Sequence, residues 1–247
     1  ENARLELRRA QENVTAAQNT ISGYTLRQNT RKKRQQEAEE KLRELSSRLN
    51  SVSARARVYR TMERDFESYQ KSVRLVMQEA GRGTLRGIHG PVSRLIRTED
   101  DYTVAIEIAL GAAMQQIVVS SESDGKAAIN YLKRTGGGRA TFLPLTGMQP
   151  KNLQESGLNQ CRGFVDIASH LVSCEDRYRA VVENLLGRTV IVRDMDAAIA
   201  ISGKYRSRFK IVTLDGQVMN PGGSMTGGSV NREAGILTRS NELERLT

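Results

Sequence analysis

The chain repeats itself, and that repeat limits its fold more than any other feature. Tyr102, Glu107, Leu110 and Gly111 recur at an offset of 76 as Tyr178, Glu183, Leu186 and Gly187. Ala127-Ala128-Ile129 recurs at an offset of 70 as Ala197-Ala198-Ile199, and Leu145 and Gly147 recur at 69 as Leu214 and Gly216. The falling offset places a few extra loop residues in the first copy. Each copy reads helix, strand, helix, strand. In the first these are DDYTVAIEIALGAAM, QQIVVS, the capped helix SESDGKAAINYLKRT and the turn and strand GGGRATFLPL. In the second they are EDRYRAVVENLLG, TVIVRD, MDAAIAISGKY and FKIVTLDG. Apolar periodicity and turn residues support each assignment. Two similar α/β lobes related by a pseudo-two-fold axis follow from this pattern. A pair of about 155 residues buries roughly 70% of its unfolded surface and is large enough to stand alone.

A different texture precedes the repeat. Residues 1–80 hold one glycine and no proline. Leu7, Ala10, Val14, Ala17, Ile21 and Tyr24, then Leu42, Leu45, Leu49 and Val52, keep one 3–4 register, interrupted by the polar seam QNTRKKRQQ. The register resumes at Tyr59, Met62, Phe66, Tyr69, Val73 and Val76, with a local phase slip near Tyr59–Phe66. A sustained a/d stripe with charged flanks predicts a coiled coil that needs a partner helix. At the other end GILTRSNELERLT starts another helix, with Ser240 or Asn241 as the expected cap. The organisation read from the sequence is therefore an arm at 1–80, a first lobe at 81–147, a linker at 148–162, a second lobe at 163–235 and a returning helix at 236–247. The chain reads as a fragment of a longer protein.

Composition removes several classes of function. No apolar run approaches the ~20 residues needed to span a bilayer, so no membrane partner is expected. Two cysteines, Cys161 and Cys174, make no disulfide framework and read as free thiols in a reducing cytoplasm. The formal charge of +10, shared by arm and lobes, suits a polyanionic partner such as nucleic acid.

Motifs for catalysis fail in turn. The nearest approach to a phosphate loop, SSESDGKA, has Ser120 in place of the first glycine and Ala127 in place of the Mg²⁺-binding hydroxyl. No G-x-G-x-x-G and no G-x-S-x-G occurs. His89, His170, Cys161 and Cys174 lack metal-ligand spacing. Asp100, Asp101, Asp194 and Asp196 stand at helix starts, where carboxylates interact favourably with the helix dipole. Neither a catalytic residue nor a metal ligand is expected.

What remains is NPGGSMTGGSV, residues 220–230, at the end of the second lobe. Its glycines alternate with Val218, Met219 and Met225, unlike a polar linker, and Pro221 marks an edge or irregular segment. Glycine here serves either a tight internal turn or the close approach of another chain's backbone. Both uses stay open on the residues alone.

The long helix, GIHGPVSRLI, the repeated lobes, ATFLPL and VTLDGQVMNPGGSMTGGS together resemble the hinge domains of structural maintenance of chromosomes (SMC) proteins. The likeness is to those of the bacterial chromosome-condensation kind and extends over essentially the whole chain. It implies a homodimer made by strand pairing between lobes of two chains. Ala140, Thr141 and Phe142 would supply the first lobe's share, and Gly216, Gly222, Gly223, Gly227 and Gly228 the second's. An antiparallel partner helix from the same full-length chain would complete the coiled coil. The resemblance also implies a cytoplasmic, nucleoid-associated protein whose ATP and Mg²⁺ belong to a separate head domain, so no cofactor is expected in this chain. Finally, it implies salt-sensitive DNA binding, with single strands preferred. The candidates are Arg82, Arg86, Lys133, Arg134, Arg139, Lys204, Arg206, Arg208 and Lys210. Two other readings compete: a monomeric DNA-binding α/β domain with a coiled-coil extension, and an α/β enzyme.

Overall fold

The computed structural model describes residues 2–64, 66, 69–229 and 235–245. They form two compact units divided between Arg55 and Ala56. The first unit is helical throughout, the leading part of α1 (Asn2–Arg64). Residues 2–51 are all exposed, and the predicted stripe presents Leu7, Val14, Ile21, Leu42, Leu45 and Leu49 to solvent. Its local support is weak: the ion pair Arg8–Glu12 at 3.5 Å and the Gln35–Glu39 hydrogen bond at 2.9 Å are exposed i,i+4 contacts.

The second unit holds the remaining elements. In chain order they are α2 (Lys71–Gly81), β1 (Ile88–Pro91), α3 (Val92–Leu95), β2 (Ile96–Arg97), α4 (Asp100–Leu110), β3 (Ile117–Val119), α5 (Glu122–Thr135) and β4 (Phe142–Pro144). There follow β5 (Phe164–Ile167), β6 (Ser173–Cys174), α6 (Arg179–Leu186), β7 (Thr189–Val192), α7 (Met195–Lys204), β8 (Lys210–Thr213), β9 (Val218–Met219), β10 (Met225–Thr226) and α8 (Ile236–Arg245).

The repeat is visible in the strand pairing. In the first lobe β3 and β4 are parallel, joined through α5, and β1 runs antiparallel to β3. In the second, β7 and β8 are parallel, joined through α7, and β5 runs antiparallel to β7. Parallel neighbours require such a crossover, which the helices at equivalent places supply. The crossover helices also start alike: Ser121 accepts from the Asp124 amide at 3.3 Å, and Asp194 from the Ala197 amide at 2.9 Å. The second lobe adds β9 and β10, which makes its sheet order β10-β9-β8-β7-β5 against β1-β3-β4 in the first.

Strand alternation divides the apolar residues among three clusters. Val118, Leu143, Ile191 and Val212 face a common core with Ile106 and Leu110 of α4 and Val182 and Leu186 of α6. Ile117 and Val119 face outward onto α5 and α2, through Ala128, Leu132, Val73 and Val76. Val190, Val192 and Ile211 face α7, through Ala198 and Ile201. Each sheet is thus covered on both faces.

Two sequence expectations change here. Phe66, Tyr69, Val73 and Val76 extend the arm's register, yet they are buried in the first lobe's outer cluster, and Val73 and Val76 lie on a separate helix, α2. A 3.6-residue stripe is the same whether it meets a partner helix or a sheet, and the phase slip before Phe66 marks the break. The returning helix begins at Ile236, ahead of the expected caps. Asn241 lies inside it and donates to the Thr98 carbonyl and the Thr103 hydroxyl, both at 3.1 Å.

Candidate functional site

Sheets covered on both faces leave their edges as the available backbone. The outer strands are β1 and β4 in the first sheet and β5 and β10 in the second, and the predicted interface residues fall on β4 and beside β10. The inner side of the β4 segment is used by β3: the Thr141 carbonyl accepts from Ile117 and the Leu145 amide donates to Val119, each at 2.9 Å. Pro144 sits in β4 where only an edge tolerates it. Of the predicted residues, Thr141 is exposed and Ala140 and Phe142 are half-buried along this edge.

The second edge carries the glycine-rich segment, of which Val230 lies outside the described residues. β10 bonds to β9 through the pairs Met225↔Met219 and Thr226↔Val218, and both of its residues are exposed. Ahead of it the chain makes a tied turn. The Gly222 amide donates to the Ser207 carbonyl at 2.9 Å, Gly223 to Asn220 at 2.9 Å, and Asn220 to Ser224 at 2.8 Å. After it the Gly228 amide donates to Gln217 Oε1 at 2.8 Å. Gly222 and Gly223 have φ of 87° and 96°, so the turn itself demands glycine. Gly216, with φ of 90°, closes the β8–β9 turn in the same way. Gly227 differs, because a Cβ there would overlap the Gln217 carboxamide. The array therefore shapes the edge from within.

Exposed apolar side chains flank both edges, and the sequence reading did not single them out as site residues. Met225 on β10 and Ile129 on α5 are 53% and 51% exposed. Ile129 borders a pocket of about 400 Å³ with Leu132, Lys133, Gly138, Arg139 and Ala140, beside β4. Ile129 was legible only as a repeat position; its outward direction depends on how α5 sits on the sheet.

The nine basic candidates resolve into separate places. Lys133 and Arg134 in the last turn of α5 and Arg139 in the loop to β4 are exposed, as are Lys204 at the end of α7 and Arg206 and Arg208 in the equivalent loop to β8. Arg82, at the end of α2, and Arg86 are also exposed, and Arg86 lies near the opposite end of α5, since the next residue, Gly87, abuts Asp124 in its first turn. That end is about 14 Å from Lys133 at 1.5 Å per helical residue. Several have intramolecular partners: Arg82 pairs with Glu79 at 2.7 Å, and Arg208 with Glu155 at 3.5 Å. Lys204 reaches Cys161 Sγ at 3.4 Å.

Lys210 has a different task from the one expected. Its ammonium donates to the carbonyls of Ala109 at 2.9 Å and Ile108 at 3.3 Å, at the C-terminal end of α4. Burial pushes its pKa below the ordinary lysine value. A β8 residue of the second lobe thus caps a helix of the first, where a cation suits the helix dipole.

Histidine and thiol chemistry is also absorbed by structure. His89 spans the lobes, with Nε2 2.9 Å from Ser120 Oγ and Nδ1 3.1 Å from Tyr178 OH. Burial, aided by Arg177, pushes its pKa down. Among the described residues no group of three or more His, Cys, Asp or Glu side chains is placed to hold a metal. A pocket of about 550 Å³ includes Arg97, Tyr102, His170 and Arg179, but Arg179 donates to the Ser169 and Val172 carbonyls at 3.4 and 3.3 Å.

Two α/β lobes sharing one core, with a free strand edge on each and helices leading in and out, define a hinge-type module. Residues 85–202 match the family model for the SMC proteins flexible hinge domain. The chromosome partition protein Smc of Bacillus subtilis is 40% identical over 87% of this chain. The chain spans only 18% of that relative's length. The crystal structure of an asymmetric dimer of the Geobacillus stearothermophilus SMC hinge domain matches with a TM-score of 0.76 and 40% identity, covering 84% of each chain. The Pyrococcus furiosus Smc hinge domain with an extended coiled coil matches with a TM-score of 0.57 and 28% identity, over 84% of this chain and 72% of that one. This chain belongs to the SMC hinge domains.

The Lys210 cap has a direct test. K210A should lower unfolding stability by about 1–3 kcal/mol, the range for a hydrogen bond from a charged group left unmade. It should leave affinity for a single-stranded oligonucleotide unchanged. Urea titration and fluorescence anisotropy report the two quantities, and unchanged stability with weakened binding would return Lys210 to the surface candidates.

Proposed function

We propose that this chain is the dimerisation hinge of an SMC ATPase that condenses, organises and segregates chromosomes, working in the cytoplasm on the nucleoid. In this reading β4 of one copy pairs with β10 of a second, and the reciprocal contact closes a two-fold ring. The observation that carries it is an edge strand on each lobe, β4 and β10, flanked by Ile129 and by Met225. Strand pairing gives each edge the hydrogen bonds it lacks. Burying the two apolar residues adds the non-directional part of the affinity. The Geobacillus hinge, at 40% identity, is a dimer, which supports a second copy of this chain as the partner.

The exposed stripe of α1 fits an antiparallel partner helix that continues α8, as the extended coiled coil of the Pyrococcus hinge suggests. ATP hydrolysis, with its Mg²⁺, then belongs to a head domain elsewhere in the full protein. Nucleic acid is the second partner. Lys133, Arg134 and Arg139 and their counterparts Lys204, Arg206 and Arg208 form two basic turns related by the repeat. Tyr131, which lies 6.0 Å from the Arg134 guanidinium, and Tyr205 are the nearby aromatics, so contact with phosphate outweighs base stacking.

Light scattering tests the edges. M225E or I129E alone should convert a dimer at tens of micromolar into a monomer, with the circular dichroism spectrum unchanged because both side chains are already exposed. Dimers that survive both substitutions would contradict the edge pairing, and a monomeric parent protein would favour the monomeric DNA-binding reading.

For DNA, binding of a short single strand should weaken steeply with salt. Replacing Lys133 and Arg134 with alanine should reduce the logarithmic slope by roughly 0.7 for each phosphate that is no longer neutralised. A salt-independent affinity would remove the basic turns from the interface.

A further inference from the structure

The start of α8 is met by a side chain from another helix. A helix N-terminus leaves its first amides without intrahelical partners, and local Ser, Thr, Asp or Asn side chains usually satisfy one of them. Gly235, the residue immediately before α8, has no side chain to offer. The acceptor comes instead from the middle of α4: Glu107 Oε1 accepts from the Leu237 amide at 3.1 Å, and Oε2 from the Thr238 hydroxyl at 3.3 Å. The fit is close enough that a Cβ built on Gly235 would overlap the Glu107 carboxylate. Behind the contact Leu237 is 1% exposed, inserted into the common core.

The rest of α8 is held by the same lobe. Asn241 reaches Thr98 and Thr103, and Arg245 pairs with Asp100. α2, at the root of the other arm, lies on α5 and β1 through Val73 and Val76. Tyr59 near the end of α1 donates to Glu242 of α8 at 3.1 Å, joining the two roots. Both chain passages therefore rest on the first lobe.

We infer that Glu107 is the positioning residue that seats the returning arm on the first lobe, and that it acts as a hydrogen-bond acceptor, not as a charge. The inference rests on reading α8 as the root of that arm, as the hinge function requires. It explains a break in the repeat: Glu183 is the counterpart of Glu107 on α6, and among the described residues no helix start bonds to it. The arm's seat then moves with the lobe that carries β4, so strand pairing at that edge and the departure of the arm are features of one rigid piece.

The choice of acceptor over charge follows from the electrostatics. Burial pushes the Glu107 pKa up, against its hydrogen bonds from α8 and the charge of Arg239 on that helix. A carboxylate whose pKa is raised on folding binds its proton more tightly in the folded chain than in the unfolded one, so acid favours the buried position. That contribution is present below the ordinary carboxylate value and is lost as pH rises through the raised one. Ionisation is thus a burden on the contact. Glutamine, which is neutral and of the same shape, keeps both hydrogen bonds if the Thr238 hydroxyl turns to accept.

Hydrogen exchange of residues 237–242 in the 247-residue chain tests this, with mass by light scattering measured in parallel. E107A should speed exchange there by about tenfold or more, as expected when an acceptor for a helix terminus is removed. E107Q should stay within about threefold of the parent, and G235A, which presses on the carboxylate without altering α4, should resemble E107A. The mass should be the same for all four proteins. Exchange in E107Q as fast as in E107A would show that the charge is essential and overturn the inference, as would parent-like exchange in both E107A and G235A. A monomeric parent would count against the hinge reading and leave the exchange comparison standing.

Discussion

The common core between the two lobes is the constraint on which the structure depends. Successive strand residues go to opposite faces, so Val118 and Ile191 meet α4 and α6 in the middle, while their neighbours Ile117, Val119, Val190 and Val192 meet α5 or α7 on the outside. Neither sheet has a face left for solvent or for a partner. The backbone of the edge strands is what remains, β4 and β10 among them, and its location follows from how the core is filled. The lobes are interlocked as well as apposed, since Lys210 of β8 caps α4 and His89 of β1 bonds to Tyr178 beside α6. A hinge assembled from separable lobes would not carry such shared polar contacts.

The same core divides labour between the lobes. The first receives α2 and α8 and is where the arms enter and leave; the second extends its sheet with β9 and β10 and ends in the glycine-bearing turn. In the proposed dimer each first lobe meets the other chain's second lobe, so every arm root is one rigid lobe away from an edge contact.

Much of this was legible from residue patterns, and the exceptions share a cause. The repeat predicted the order helix, strand, helix, strand in each lobe, because each copy preserves the same order of apolar runs and caps. The long helix followed from the absence of proline and the 3–4 register. The role of Val73 and Val76 did not, since periodicity describes a helix's apolar face and says nothing of what covers it. Lys210 and Glu107 were misplaced or overlooked because their partners lie 101 and 130 residues away in sequence. The glycine array was half read: it lies at the edge as expected, but Gly216, Gly222 and Gly223 are required by positive φ in turns as well as by any neighbouring chain.

Edge pairing is the central claim, and amide exchange across protein concentration examines it without mutation. The outward amides of β4 at Phe142 and of β10 at Met225 should gain protection together as the concentration rises through the dimerisation range. β7, buried in the middle of its sheet, should show no change. Protection at the two edges that is the same at every concentration, in a protein whose mass shows it to be dimeric, would contradict the account and place the interface elsewhere on the hinge.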